Sequence, residues 1–314
     1  MSRSRTSIAW TCAAGALGLA PFGTVALSAQ REGFEILRSK TEARLQQIVD
    51  HAPGALGLTA VDLTSGERFG FNQELVCAQG SAIKVPILME VYKQAQQGKF
   101  ELGERRTIAQ QGMVGGSGVL QHFGAGSSAL SVRDLCVLMI VLSDNSATNM
   151  LIDLVGMENV NRTLESLGTV RTRLRRKMMD SAASARGDEN LSTPAEAVHI
   201  LEILGRGDFI NRQISEDILS ILKLPKEGDL KAGIPAEVPL AFKAGSLPGV
   251  ATEWAVVYLK DHAYAVAVME GYLPAGDGQA SKDFQEISSV LFEYFARRAF
   301  SNPYGVLTDP QSWK

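Results

Sequence analysis

Strand patterns near both ends of the chain and a long helical middle predict a mixed α/β protein of the α+β kind. The expected architecture is an antiparallel sheet flanked by helices, with an all-helical lobe inserted between its two halves. The sheet lobe takes residues of about 30–80 and 226–314, and the helical lobe those of about 81–225.

Residues 31–50 set Phe34, Ile36, Leu37, Leu45, Ile48 and Val49 among charges, the spacing of an amphipathic helix. Residues 56–62 read as a strand, and Thr64-Ser65-Gly66-Glu67 turns the chain into a second short strand through Phe69 and Phe71. From Ser81 to Leu224 the helical period dominates, over 132–142, 147–155, 160–167 and 194–204. Before the last of these Thr193 is the cap and Pro194 takes the first turn. Strands return over 240–243 and 254–259, and after Lys260-Asp261-His262 a hairpin partner runs over 263–269. Phe284, Ile287, Leu291, Tyr294 and Phe295 give the stripe of a closing helix.

With 314 residues, 45% of them hydrophobic and 21% charged, the chain is long enough for one large domain or two interleaved ones. A net charge of −3 excludes a basic nucleic-acid footprint over the whole chain. Three cysteines exclude a disulfide scaffold, and His51, His122, His199 and His262 show neither metal-ligand spacing nor the setting of a Ser-His-Asp triad. No cofactor or metal is implied, and a monomer is expected.

Residues 1–29 read as a signal peptide. Arg3 and Arg5 precede an acid-free apolar stretch over 8–27, broken by Gly15, Gly18, Pro21 and Gly23, and Ser28-Ala29-Gln30 gives a small-residue exit. A membrane anchor is the rival, but the glycines, proline and exit favour cleavage. Cleavage after Ala29 removes Cys12 and leaves 29 basic and 34 acidic residues, a net charge of −5. No later run reaches about 18 apolar residues, so the mature chain is expected to be soluble and secreted or periplasmic. Cys77 and Cys136 then meet an oxidising compartment, either paired or as two buried thiols.

Three short motifs carry the chemistry. In Ser81-Ala82-Ile83-Lys84 the hydroxyl and the amine stand three residues apart at the head of an apolar helix, on one face. Burial disfavours a charged lysine, and a neutral amine beside a hydroxyl is a general base beside a nucleophile. Alone the motif is weak, since composition gives roughly one chance match in a chain this long. Ser143-Asp144-Asn145-Ser146 breaks two apolar helices with a hydroxyl and an amide suited to passing a proton and clamping a substrate. Asp144 or Asn145 could equally be a helix cap. Lys243-Ala244-Gly245-Ser246 ends a predicted strand, where an edge lysine suits a substrate laid alongside and the Ser246 N–H suits an oxyanion hole. In this order and setting the three are strong together.

The chain resembles the class A serine β-lactamases and their relatives among the penicillin-binding proteins over residues of about 34–300. Gly116-Ser117-Gly118-Val119-Leu120 and residues 135–156 belong to the same resemblance. It implies that Ser81 is the acylated nucleophile, Lys84 its activating partner, and Ser143 the donor of a proton to the leaving nitrogen. By the same resemblance Asn145 holds the substrate side chain and Lys243 supports Ser143 and the substrate carboxylate. The N–H groups of Ser81 and Ser246 form the oxyanion hole beside Gly245.

Three departures stand out. In the β-lactamases a loop glutamate, four residues ahead of an asparagine, positions the deacylating water. Counting from Arg176, those places hold Met178 and Ala182, and neither accepts a proton. Asp180, Asp188 and Glu189 are the candidate substitutes, Asp180 the favoured one. Ala244 stands where the family has threonine or serine, a loss on the order of 1 kcal/mol in binding. The arginine of the following strand is missing too, with Thr252 and Glu253 in its neighbourhood. Cys136 matches a disulfide position of some β-lactamases, but Leu88 holds the usual partner's place.

The expectation is an exported serine hydrolase acting on β-lactams or related amides through an acyl-serine, with slow deacylation. The alternatives are an amidase, esterase or D-alanyl peptidase-like enzyme on cell-wall peptides, or a penicillin-binding module that is acylated once.

Overall fold

The computed structural model describes residues 22–308, except 125, 261, 276, 277 and 303. Most of the expected export segment, residues 1–21, lies outside the described residues. Helix α1 (Phe22–His51) begins upstream of the expected cleavage point and continues over the predicted 31–50 helix. Among the described residues no helix is long and apolar enough to cross a membrane.

From α1 the chain enters strands β1 (Ala55–Asp62) and β2 (Arg68–Phe71), then the short strand β3 (Cys77–Ala78). A 3-10 turn, Gly80–Ile83, leads directly into α2 (Lys84–Gln96). Strands β4 (Arg105–Thr107) and β5 (Ala129–Ser131) pair in a two-stranded ladder before α3 (Val132–Val141), α4 (Asn145–Val155) and α5 (Met157–Ser166). A loop holding the short α6 (Ser181–Ala185) leads to β6 (Leu191–Ser192), which pairs with β3. Helices α7 (Pro194–Arg206), α8 (Arg212–Leu222) and α9 (Asp229–Ala232) follow. The chain ends with β7 (Leu240–Leu247), β8 (Val250–Val257), β9 (Tyr264–Gly271) and α10 (Gln279–Phe300).

Five strands form one antiparallel sheet in the order β2-β1-β9-β8-β7, built from both ends of the sequence as predicted. Both faces of the sheet are covered, and its side chains alternate between two cores. On β9, Ala265, Ala267 and Met269 face one core with α2, α3, α4 and α7, while Tyr264, Val266 and Val268 face the other with α10. That second core stacks Tyr264 on Phe295 and sets Phe69 edge-on to Tyr294. Helix α7 has the predicted cap: Thr193 Oγ1 accepts from Glu196 N (3.2 Å), with Pro194 first and Gly207 left-handed at the end. It packs on β1 and β9, so a helix of the expected helical lobe is also a cover of the sheet.

Cys77 and Cys136 are free and buried, which settles the pairing question toward two thiols. Burial pushes the Cys77 thiol up to about 11 and raises Cys136 further, so neither is a ready thiolate. One histidine does have an acid: His262 Nδ1 lies 3.0 Å from Asp62 Oδ2. Asp62 Oδ1 accepts from Thr64 N and Ser65 N, so this carboxylate fastens the β1–β2 turn.

Candidate active site

Ser81 sits inside the 3-10 turn and Lys84 opens α2, so the two side chains are eclipsed by the three-residue period. Buried Gln79 anchors that turn. Its Oε1 accepts from Trp254 Nε1 (2.9 Å) and its carbonyl from Thr252 Oγ1 (2.9 Å), tying the turn to β8. Glycines let backbone meet backbone here. A Cβ on Gly245 would lie 2.8 Å from Ser81 N, and one on Gly80, whose φ is +48°, would lie 2.7 Å from Ser246 N. The two amides expected to hold an oxyanion are brought together because neither glycine carries a side chain.

Lys84 is fully buried and meets four oxygens. Its Nζ lies 3.0 Å from Ser81 Oγ, 3.0 Å from Ser143 Oγ, 2.7 Å from the Ser143 carbonyl and 3.1 Å from Asn145 Oδ1. Burial holds its amine well below the ordinary lysine range, and the Lys243 cation adds to this against the opposing Asp144 carboxylate. A neutral amine has two N–H groups and one lone pair. The Ser143 carbonyl and Asn145 Oδ1 only accept and take both hydrogens, so the lone pair is left for a hydroxyl proton.

Ser143 has φ +52°, a strained left-handed turn between α3 and α4. The turn divides its labour. Asp144 is the cap, with Oδ1 accepting from Ala147 N and Oδ2 from Val119 N and Leu120 N. Ser143 and Asn145 are thereby free to face Lys84. Asn145 Nδ2 donates to Gly115 O (3.1 Å) and its backbone N to Ser117 O, which fixes the glycine-rich segment at the rim.

Lys243 is buried on β7 and donates to the Ala244 carbonyl (2.8 Å), while the Ser143 hydroxyl meets Lys84 instead. Burial lowers Lys243 to about 8, and Glu253 opposes the fall.

A cavity of about 440 Å³ opens over Ser81, lined also by Gly116, Ser117, Asn145, Ser246 and Pro248. A larger hollow of about 800 Å³, with Tyr92, Phe100 and Asp217, lies elsewhere along α2 and holds none of these groups. Across from Ser81 the loop 172–190 contributes Arg176, Met178, Met179 and Asp180 to the wall. Of the three candidate carboxylates only Asp180 lines the cavity. Asp188 pairs with Arg175 and Arg186, and Glu189 with Arg176. Asp180 Oδ1 also caps α6 through Ala183 N (2.9 Å).

Sequence reasoning missed Gln79 and Asn149. Asn149 Oδ1 accepts from Met178 N (2.8 Å) and its Nδ2 donates to Met178 O (3.1 Å). Its position one turn after Asn145 on α4 was the available signal.

A serine and a buried lysine at the seam between a helical lobe and an antiparallel sheet define a serine hydrolase of the β-lactamase type. The model of the β-lactamase enzyme family matches residues 40–295, and the chain belongs to that family. Among curated relatives, the β-lactamase SME-1 of Serratia marcescens is 25% identical over 271 residues, 83% of this chain and 92% of that protein. The β-lactamase L2 of Stenotrophomonas maltophilia is 28% identical over 260 residues, 80% and 85% of the two chains. Among solved structures, a β-lactamase from Sphaerobacter thermophilus aligns with a TM-score of 0.73 at 27% identity, covering 82% of this chain and 97% of that one. PBP-A aligns with a TM-score of 0.75 at 25% identity, covering 82% and 96%. A mutant of PBP-A has been solved as an acyl-enzyme complex with penicillin G, again with a TM-score of 0.75.

Proposed function

We propose that this chain is an exported, monomeric serine hydrolase that opens β-lactam or related amide bonds through an acyl-Ser81 intermediate and releases the acyl group slowly. The observation that carries the reading is the buried Lys84 amine within 3.0 Å of both the Ser81 and Ser143 hydroxyls. Ser81 Oγ attacks the amide carbon as its proton passes to the Lys84 lone pair. The N–H groups of Ser81 and Ser246 receive the oxyanion. Ser143, sharing the same amine, carries a proton to the leaving nitrogen while the carbon–nitrogen bond breaks. Lys243 provides the cation for the substrate carboxylate, and Asn145, with Gly245 opposite, borders the substrate side chain.

A second reading, a penicillin-binding module that is acylated once, is favoured by Met178 and Met179 on the wall where the family resemblance expects a glutamate. The acyl-enzyme of the PBP-A mutant supports the acylation step that both readings share. Asp180 is the remaining candidate for activating water. Export to the periplasm or beyond rests on Arg3, Arg5 and the apolar stretch that follows.

The test is to mix the purified protein with a chromogenic cephalosporin and follow colour and intact mass together. A stoichiometric burst with a long-lived adduct is expected, and Ser81→Ala should lower acylation by about four orders of magnitude or more. Turnover without adduct would mark an efficient β-lactamase, and neither colour nor adduct an enzyme for other amides or esters. Full activity in Ser81→Ala would refute the assignment.

A further inference from the structure

We infer that Gln79, held by Trp254 and Thr252 of β8, is a positioning residue for the oxyanion hole: its bonds set where the Ser81 amide stands relative to the Ser246 amide. This rests on the reading above that those two N–H groups receive the oxyanion when Ser81 is acylated.

The two amides come from separate elements, Ser81 from the 3-10 turn and Ser246 from β7. The turn and the strand touch where side chains are missing. A Cβ on Gly245 would lie 2.2 Å from the Gln79 carbonyl oxygen and 2.6 Å from Ala82 N. Such contact stops the segments from approaching further but gives no direction, whereas a hydrogen bond does. Among the described residues neither main-chain group of Gln79 bonds to β7. Its N–H donates to the Asn190 carbonyl (2.8 Å), and its carbonyl accepts from Ala82 N (3.0 Å) and Thr252 Oγ1 (2.9 Å). The directional tie therefore runs to β8, which is paired with β7 along its whole length.

Gln79 is fully buried with every polar group engaged. Besides accepting from Trp254 Nε1 (2.9 Å) at Oε1, it donates from Nε2 to Cys77 O (2.9 Å) and Met269 Sδ (3.2 Å). Thr252 and Trp254 alternate along β8 and Met269 is the β9 partner of Thr252, so all three share one sheet face. In the β7–β8 ladder Trp254 stands opposite Lys243 and Thr252 opposite Gly245, so the rungs that hold Gln79 are those that carry the site residues of β7. Thr252 Oγ1 lies 3.4 Å from the Gly245 carbonyl as well, between turn and strand. Negative charge collects on the substrate oxygen only as the transition state forms. A misplaced Ser81 amide therefore costs acylation rate and leaves substrate binding nearly intact.

The experiment mixes the full-length protein with a chromogenic cephalosporin in stopped flow, over concentrations that separate the limiting acylation rate constant from the half-saturating concentration. Trp254→Phe and Thr252→Val each remove one donor to Gln79, and each should slow the limiting rate about tenfold or more, with half-saturation within about twofold of wild type. Thr252→Ser keeps the hydroxyl and should acylate within about twofold of wild type. Trp254→Phe and Gln79→Met break the same bond, so the double variant should be no more than about twofold slower than Gln79→Met. Exchange of the Ala82 amide hydrogen, followed by NMR, should be about tenfold faster in Thr252→Val. Wild-type limiting rates in Trp254→Phe and Thr252→Val overturn the inference. So does a loss confined to half-saturation, or an equal loss in Thr252→Ser and Thr252→Val. If Trp254→Phe does not fold, the two Thr252 variants decide alone. If the wild type forms no adduct at Ser81, the acyl-serine reading fails and the exchange decides: faster exchange in Thr252→Val upholds the tie, and unchanged exchange overturns it.

Discussion

On the α2 side of the cleft one nitrogen, Lys84 Nζ, meets four oxygens within 3.1 Å, whereas the facing loop 172–190 lines the same space with Met178 and Met179. The loop is nonetheless firmly built. Arg176 Nε and Nη2 both donate to Glu189 Oε2 (2.9 and 2.7 Å). Asn190 Oδ1 accepts from Arg175 N and Arg176 N, and Asn149 holds the Met178 backbone from both sides. All the bonds that Asn149 and Asn190 make here go to main chain, so the loop's path does not depend on which side chain residue 178 carries. On the proposed mechanism the two walls separate what acylation needs from what deacylation needs.

The largest expected effect comes from the complete side. Lys84→Met removes the proposed base while keeping the volume apolar, and acylation should fall by about 10² to 10⁴-fold. The Ser143 carbonyl and Asn145 Oδ1 lose their donor, so stability should drop by about 1–3 kcal/mol in denaturant titration. The pH profile gives an independent reading. Because burial lowers the Lys84 pKa, the neutral amine is the major form above that lowered value, and wild-type acylation should fall as pH drops through it. In Lys84→Met this acid limb should vanish. Acylation within about tenfold of wild type would end the case for Lys84 as base.

Next comes the other wall. Met178→Glu places a carboxylate at a position whose backbone is already clamped by Asn149, facing the cavity over Ser81. The adduct lifetime should shorten by about two orders of magnitude, with the acylation rate nearly unchanged. Liquid chromatography with mass detection after rapid mixing reads both numbers. A lifetime that does not move would mean that the loop lacks more than a proton acceptor.

The same contrast governs what was legible in the sequence. Strands β1 and β9 were read to within two residues of their bounds because both faces are buried, which makes their sequences almost continuously apolar. β7 was read four residues short, and β8 was read over 254–259 where it spans Val250–Val257. Gly245 and Pro248-Gly249 look like the end of a strand, yet the ladder continues through Gly245↔Thr252 to Leu247↔Val250. The ladders β3–β6 and β4–β5 escaped notice because two or three residues carry no period. At the site, Ser81, Lys84, Ser143 and Asn145 were visible as short local motifs, and the structure joins them through Lys84. Gln79 and Trp254 were not, since their bond spans 175 residues of chain. Glu253 was noticed only as a residue standing where an arginine was expected. Its burial depends on α9 and Gly228, which no local pattern announces.

The smallest expected effect concerns Asp180, the one carboxylate of the loop that lines the cavity. Two roles compete for it, because its Oδ1 also accepts from Ala183 N at the head of α6. Substitution can separate them. Asparagine caps a helix about as well as aspartate but accepts no proton, whereas alanine loses the cap at a cost of about 1 kcal/mol. Asp180→Asn should therefore leave the unfolding midpoint unchanged and lengthen the adduct half-life on the order of tenfold, since only residual hydrolysis is being removed. Asp180→Ala should lengthen it equally and lower the midpoint as well. If the half-life is the same in Asp180→Asn and wild type, Asp180 is a cap alone, and the slow release of the acyl group proceeds by unassisted water.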